Sequence, residues 1–257
     1  MATIAAPRVE ARIGRFYVWM AAICAAIAFG GFAGTFWLQL PAGTFVGSPM
    51  LHLHAMLFSA WTLLFFYQTI LVARGKLKSH RAWGLAGISL ATAMLFTGLA
   101  VAIGSLETRL DAGYGDAARA FAIVPVTAIL SFFGLFVAAI ATLRRPEWHK
   151  RLMLVATISL LQPAIARFFF IAATGGGPGL RPGLGAPRAV EFFYAPGLLM
   201  DLLIVVAIIY DWRTRGRVHP AYLWGLALVA GVQAVRVPLS QTGGWYAIAD
   251  FLSGFAG

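Results

Sequence analysis

The sequence predicts an all-α integral membrane protein of seven transmembrane helices, and three observations carry that expectation. The 257 residues are 60% hydrophobic and 11% charged, with a mean hydropathy of +0.81, whereas about a quarter of residues are charged in a water-soluble domain. The apolar residues gather into seven runs, each near the ~20 residues that a helix needs to cross the hydrocarbon. Basic residues cluster at alternate ends of those runs. The runs are continuous and rich in Ala, Leu and Phe, without the alternation of membrane strands.

The first span is expected near residues 16–39. Its apolar core from Phe16 to Leu40 is far longer than the ~7–15 residues of a secretory leader's core, so it reads as a retained helix. Gly30 and Gly34 form a small-xxx-small pair suited to close helix packing. The second span, near 51–73, opens on His52 and His54, and the third and fourth lie near 82–104 and 120–142. The fifth, near 152–173, carries Gln162, Pro163 and Arg167. Its proline removes a helical hydrogen bond, a break tolerated where polar groups or water replace the partner. The sixth, near 191–211, has Glu191 at its mouth and Asp201 at its middle. The seventh, near 220–240, carries Gln233, Arg236 and Pro238. The glycine- and proline-rich loop from Thr174 to Arg188 cannot hold regular structure and reads as a tether, with a flexible lid over an outer cavity as the alternative. The tail from Gln241 to Gly257, with Trp245, Tyr246 and Phe251, is too short to cross again and reads as an outer interfacial anchor. Cys24 is the single cysteine, which excludes an internal disulfide and a multi-cysteine metal site; a small apolar role suits it.

The net charge of +11 does not point to nucleic acid, because of where it lies. Fourteen of the 20 basic residues fall in four clusters: Arg8/Arg12/Arg15, Arg74/Lys76/Lys78/Arg81, Arg144/Arg145/Lys150/Arg151 and Arg213/Arg215/Arg217. The other loops hold Arg109, Arg119, Arg181 and Arg188 mixed with Glu107, Asp111 and Asp116. This is the positive-inside asymmetry. It orients a single transmembrane domain, residues 1–257, with its N-terminus cytoplasmic and its C-terminus outside, in a bacterial inner membrane. The basic clusters then touch anionic headgroups of the bilayer.

His80, His149 and His219 end the three basic connectors at separations of 69 and 70 residues. That spacing predicts one leading helix followed by three repeated hairpins, near 51–104, 120–173 and 191–240. Trp83-Gly84-Leu85-Ala86 and Trp224-Gly225-Leu226-Ala227 recur after two of the histidines. In that register Thr97, Arg167 and Arg236 share one depth, as do Thr62, Ser131 and Asp201, and as do His52, Phe121 and Glu191. Repeats of one orientation resemble the parallel repeats of transporters.

Arg167 and Asp201 are the clearest anomalies. A charge near the middle of a membrane helix costs at least about 2.5–3.5 kcal/mol, so it faces the bundle interior and has a partner. Two readings stay open. Arg167 and Arg236 pair with Asp201 and Glu191 and lock the fifth, sixth and seventh spans together, or these residues line a polar pocket in the outer half with His54, Gln162 and Gln233. Arg236 also has the option of snorkelling to the interface. The histidines His80, His149 and His219 share a depth that permits a three-histidine zinc site. The basic residues beside each disfavour a cation, so interfacial anchoring is the preferred role. There is no His-Glu-x-x-His, P-loop or Gly-x-Ser-x-Gly motif, and no lysine after Lys150 to form a retinal Schiff base.

His52-Leu53-His54, followed by Phe58, resembles the His-x-His-x-x-x-Phe helix start of haem-copper oxidase-like proteins. That resemblance implies His54 as an axial ligand of a b-type haem, with Arg167 or Arg236 near the propionates and a methionine, His52 or no residue as the second ligand; an ordinary interfacial pair is the preferred reading of His52 and His54. A second resemblance is broader. His80-Arg81-x-x-Gly84, then His149-Lys150-Arg151-Leu152-Met153, then Arg167 late in the same helix, resemble a family of predicted bacterial polytopic membrane proteins classed as a domain of unknown function. It covers about residues 51–172 and implies an inner-membrane bundle without an assigned activity. The function expected is binding of a small or lipophilic ligand in the outer-half pocket, with a haem- or quinone-linked redox role as its most concrete form. The site residues are His54, Arg167, Glu191, Asp201, Gln233 and Arg236. The alternatives are a transporter or receptor for a small anionic solute, and an accessory subunit with a membrane protein partner.

Overall fold

The computed structural model describes residues 5–175 and 185–255, with side chains from Gly14 onward. Nine α-helices form among these residues: α1 (Ala5–Phe32), α2 (Pro49–Ala73), α3 (Leu77–Asp111), α4 (Gly115–Ala141), α5 (Pro146–Ser159), α6 (Gln162–Thr174), α7 (Tyr194–Arg215), α8 (Pro220–Ser240) and α9 (Gly243–Ser253). A π-helical turn, Ala33–Trp37, extends α1, and a 3-10 turn, Val190–Phe193, leads into α7. Seven segments are long and apolar enough to cross a membrane, α5 and α6 being two halves of one span. The chain is therefore a polytopic all-α membrane protein.

The local chemistry explains the limits of these elements. Ser48 caps α2 by accepting a hydrogen bond from the Leu51 amide, with Pro49 in the first turn, a position where its missing N–H is not needed. Helix α3 runs 35 residues rather than the shorter span expected. At 1.5 Å per residue that is about 52 Å, well beyond a ~30 Å hydrocarbon layer. Nothing stops it before Gly113, whose φ of +83° ends the turn.

The fifth span is the centre of the bundle. Its apolar window is 61% buried, more than that of any other span, and it packs on α1, α4, α7 and α8. Pro163 divides it, as the sequence predicts: Leu160 and Leu161 leave the helix and Gln162 restarts it. Around this axis the core is apolar and aromatic, with Trp61 edge-on to Phe132 at 5.1 Å and with Met94, Leu154, Ile158 and Ile204 fully enclosed. Cys24 sits in the same core as a small apolar residue. Gly30 and Gly34 meet Phe168 and Ile171, while the closest approach is at Gly31, where a Cβ would collide with the backbone of Ala164.

One expectation, for the C-terminal tail, is revised. The tail does more than lie along an interface. Helix α9 docks on α3 and α4, burying Trp245, whose indole N–H donates to the Arg119 carbonyl at 2.7 Å. Asp250 pairs with Arg119 at 2.7 Å. Most of the Thr174–Arg188 loop, with its reading as a tether or a lid, lies outside the described residues. Gly175 closes α6 at φ +78°, and the Gly185 carbonyl accepts from Arg109 at 2.9 Å.

Candidate functional site

The break at Leu160–Leu161 opens a helix end in the middle of the bundle, and polar side chains from four helices collect there. Gln162, first residue of α6, donates from Nε2 to the Phe193 carbonyl at 2.9 Å and accepts from Arg236 Nη1 through Oε1 at 2.7 Å. Arg236 Nε donates to Thr127 of α4 at 2.7 Å. One turn earlier on α8, Gln233 Nε2 donates to both carboxylate oxygens of Asp201, at 3.2 and 3.3 Å. The two glutamines thus stand between a buried cation and a buried carboxylate.

A glycine makes this arrangement possible. At Gly197, one turn before Asp201 on α7, a Cβ would collide with Gln233 Oε1 and come within 2.9 Å of Gln162 Nε2. Both amides occupy the volume a side chain would fill. Gln162, Gln233 and Arg236, with Val190, Phe193 and Tyr194 at the start of the sixth span, line a narrow cleft. About 10 Å³ of it is open to the centre of a water molecule, on the order of what one water needs. The cleft is too small for a haem.

The predicted ion pairs do not form. Arg236 and Asp201 interact through space, but among the described residues neither Arg236 nor Arg167 makes an ion pair. Glu191 is exposed in the 3-10 turn. Arg236, at 5% exposure, does not snorkel.

Nor does Arg167 share the cleft. It points to α1, where its Nε donates to Thr35 at 3.1 Å and its guanidinium lies 3.9 Å from the Phe32 ring centroid. Its Nη1 donates to the Pro163 carbonyl at 2.9 Å. The reason is azimuth. Positions 162 and 167 are five residues apart, which is about 140° around a helix. The repeat register assigns depth only, so it groups residues that face different neighbours.

His54 belongs with Arg167. It stands within electrostatic reach of that guanidinium, and its ring centroid lies 4.1 Å from that of Phe58. Its Nδ1 is buried without a partner. His52 turns away, toward the Ser48 carbonyl at 3.0 Å.

The zinc site is not assembled. His80 and His149 approach to 6.4 Å between ring centroids, but His149 is tied to the Ala139 carbonyl at 2.9 Å. His219 packs instead on Trp148 at 5.2 Å and caps α8 by accepting from the Ala221 amide at 3.2 Å. Among the described residues no group of three or more His, Cys, Asp or Glu side chains is placed to hold a metal. His219 thus serves its own helix end, while the His149 ring ties α5 to the end of α4.

A second charged group escaped the sequence reading. Arg151, fully enclosed, binds Asp211 with two hydrogen bonds of 2.6 and 2.8 Å, and its Nη1 reaches Glu147 at 2.7 Å. Arg215 and Lys150 bind the same Glu147, each at 2.6 Å. The Tyr17 and Tyr222 hydroxyls meet beside it at 3.2 Å. Burial, reinforced by Arg151, holds the nearby His219 imidazole below its usual range. A signal was present: Glu147 and Asp211 are the acids of otherwise basic connectors. It was missed because Arg151 counted only as one more inside charge.

No protein-family model matches the chain, and neither a curated protein nor a solved structure does.

Proposed function

We propose that this polytopic membrane protein binds a small anionic solute in the cleft at the fifth-span break, with Arg236 as the residue that receives it. One observation carries the reading: a guanidinium at 5% exposure is held by a hydroxyl and an amide and by no carboxylate. Its Nη2 makes no hydrogen bond among the described residues. A lone cation is costly in hydrocarbon, and a bidentate carboxylate is the ligand its planar fork suits best. Thr127 and Gln162 fix the fork's plane. Gln233 holds Asp201 back, and Asp201 lowers the cost of the cation while the cleft is empty.

In this reading the basic connectors face the cytoplasm and the cleft lies in the outer half of a bacterial inner membrane. The three hairpins are repeats in one orientation, and residues 51–172 belong to the family their motifs resemble. Ligand entry requires Phe193 and Tyr194 to move, since the resting cleft holds about one water.

The test is a thermal-unfolding titration of the detergent-purified chain with acetate, succinate and sulfate. A concentration-dependent rise in midpoint that disappears in Arg236→Gln supports the assignment. An equal rise in wild type and Arg236→Gln removes it. The buried, unpartnered Nδ1 of His54 favours one other reading, a ligated redox cofactor. A Soret band in the purified protein that is lost in His54→Ala would establish that reading, and its absence would end it.

A further inference from the structure

We infer that Arg167 heads a second, separate site, at the crossing of α1 and α6, for the oxyanion end of a lipophilic molecule, a carboxylate or a phosphate. The inference uses none of the cleft residues and stands independently of the proposal for Arg236.

The site is built by the close approach of two helices. Gly31 lets α1 touch the backbone of Ala164. One turn further along α1 stands Thr35, and three residues further along α6 stands Arg167, so the contact sets these two side chains against each other. The Thr35 hydroxyl takes Nε, the Pro163 carbonyl takes Nη1 and the Phe32 face backs the guanidinium. All three fix the plane of the fork and leave Nη2 without a hydrogen bond among the described residues. No carboxylate pairs with it there. The imidazole of His54, whose Nδ1 is buried and unpartnered, adds a second group, which donates to an oxyanion in the tautomer that carries its proton on Nδ1.

Depth and surroundings choose the ligand class. Arg167 is seven residues, or about 10 Å, below the end of α6 at Thr174. It reaches back to the Pro163 carbonyl, one turn further from that end, instead of snorkelling out of the apolar layer as a long basic side chain otherwise does. It is half-buried, and the next residues, Phe168 and Phe169, are 46% and 37% exposed. A hydrated ion would have to shed its shell to arrive there. A molecule whose tail lies against these rings delivers its charged end from within the bilayer.

The experiment compares oleate, dodecyl phosphate and inorganic phosphate as ligands of the intact chain in non-ionic detergent, read by thermal unfolding and by native mass spectrometry. Binding of either amphiphile that weakens by at least about tenfold in Arg167→Gln, and is unchanged in Arg236→Gln, supports the site. Thr35→Val and His54→Gln keep the cation and should each weaken binding by a smaller factor, which holds the test if Arg167→Gln does not fold. Inorganic phosphate binding as well as the amphiphiles would overturn the lipophilic assignment. Amphiphile binding that is absent, or unchanged in Arg167→Gln, Thr35→Val and His54→Gln, would overturn the site.

Discussion

Arg151, near the basic connectors, and Arg236, at the fifth-span break, are buried guanidinium groups lining the same central span, and they are satisfied in opposite ways. Arg151 has carboxylates on both sides, Asp211 in a two-bond fork and Glu147 one turn back on its own helix. Arg236 has a threonine hydroxyl and a glutamine amide, while the carboxylate nearest in charge, Asp201, is occupied by Gln233. A guanidinium closed by carboxylates is a fastener, because any further anion would be repelled. One closed by neutral dipoles keeps its charge available. The difference separates structure from candidate function better than burial does, since both groups are buried.

The sharpest way to break this contrast is Arg151→Leu. It leaves the buried Asp211 without its two-bond fork, with only Arg215 at 3.7 Å and the His219 amide at 3.3 Å, and should cost on the order of 3 kcal/mol, read as a lowered unfolding midpoint in detergent. Adding Asp211→Leu should restore much of the loss, because the stranded charge goes with it. If the single change is harmless, the network does not fasten α5 to α7.

Gly197→Ala comes next. Its methyl group meets both amides, and overpacking of this kind costs about 1–3 kcal/mol. The same substitution should abolish the ligand response, since Gln162 can no longer hold Arg236. Arg236→Gln should be milder for stability, at most about 1.5 kcal/mol for the altered hydrogen bonds, while removing anion binding completely. An Arg236 variant as unstable as the Arg151 variant would place Arg236 among the fasteners.

The smallest effect concerns pH at the connector end. His219 accepts the Ala221 amide through Nδ1, which only the neutral ring can do. Burial and Arg151 hold its folded value down, with Arg215 acting the same way and Asp211 and Glu147 opposing. The unfolded chain therefore takes up the proton first. His219 contributes its full stability above about pH 6.5 and loses it as pH falls through that value toward the lower, folded one. The loss should be on the order of 1 kcal/mol, the worth of a helix cap. His219→Asn, which keeps a cap without titrating there, should flatten this part of the pH–stability curve.

Most of the fold was legible because each step needed only one dimension. Span count follows from runs of apolar residues, and the break in the fifth span follows from Pro163, whose missing N–H acts on its own helix. The membership of the site was half legible. Gln162, Asp201, Gln233 and Arg236 stand out as polar residues in apolar runs, and they do assemble. Arg167 and His54 stood out equally and sit elsewhere, while Arg151 did not stand out at all. A basic residue near a basic connector carries no signal until the acid of another helix is seen beside it.

The sequence by itself determined that this chain crosses a membrane seven times, because the cost of exposing backbone and charge to hydrocarbon is paid locally, residue by residue. It also determined how far along its span each polar group stands, since rise per residue is fixed. Only the tertiary structure decided which side chains face each other, because azimuth depends on how helices cross. The contact at Gly31 turned Arg167 toward Thr35, the space at Gly197 admitted both amides, and carboxylates went to Arg151 and left Arg236 with neutral partners.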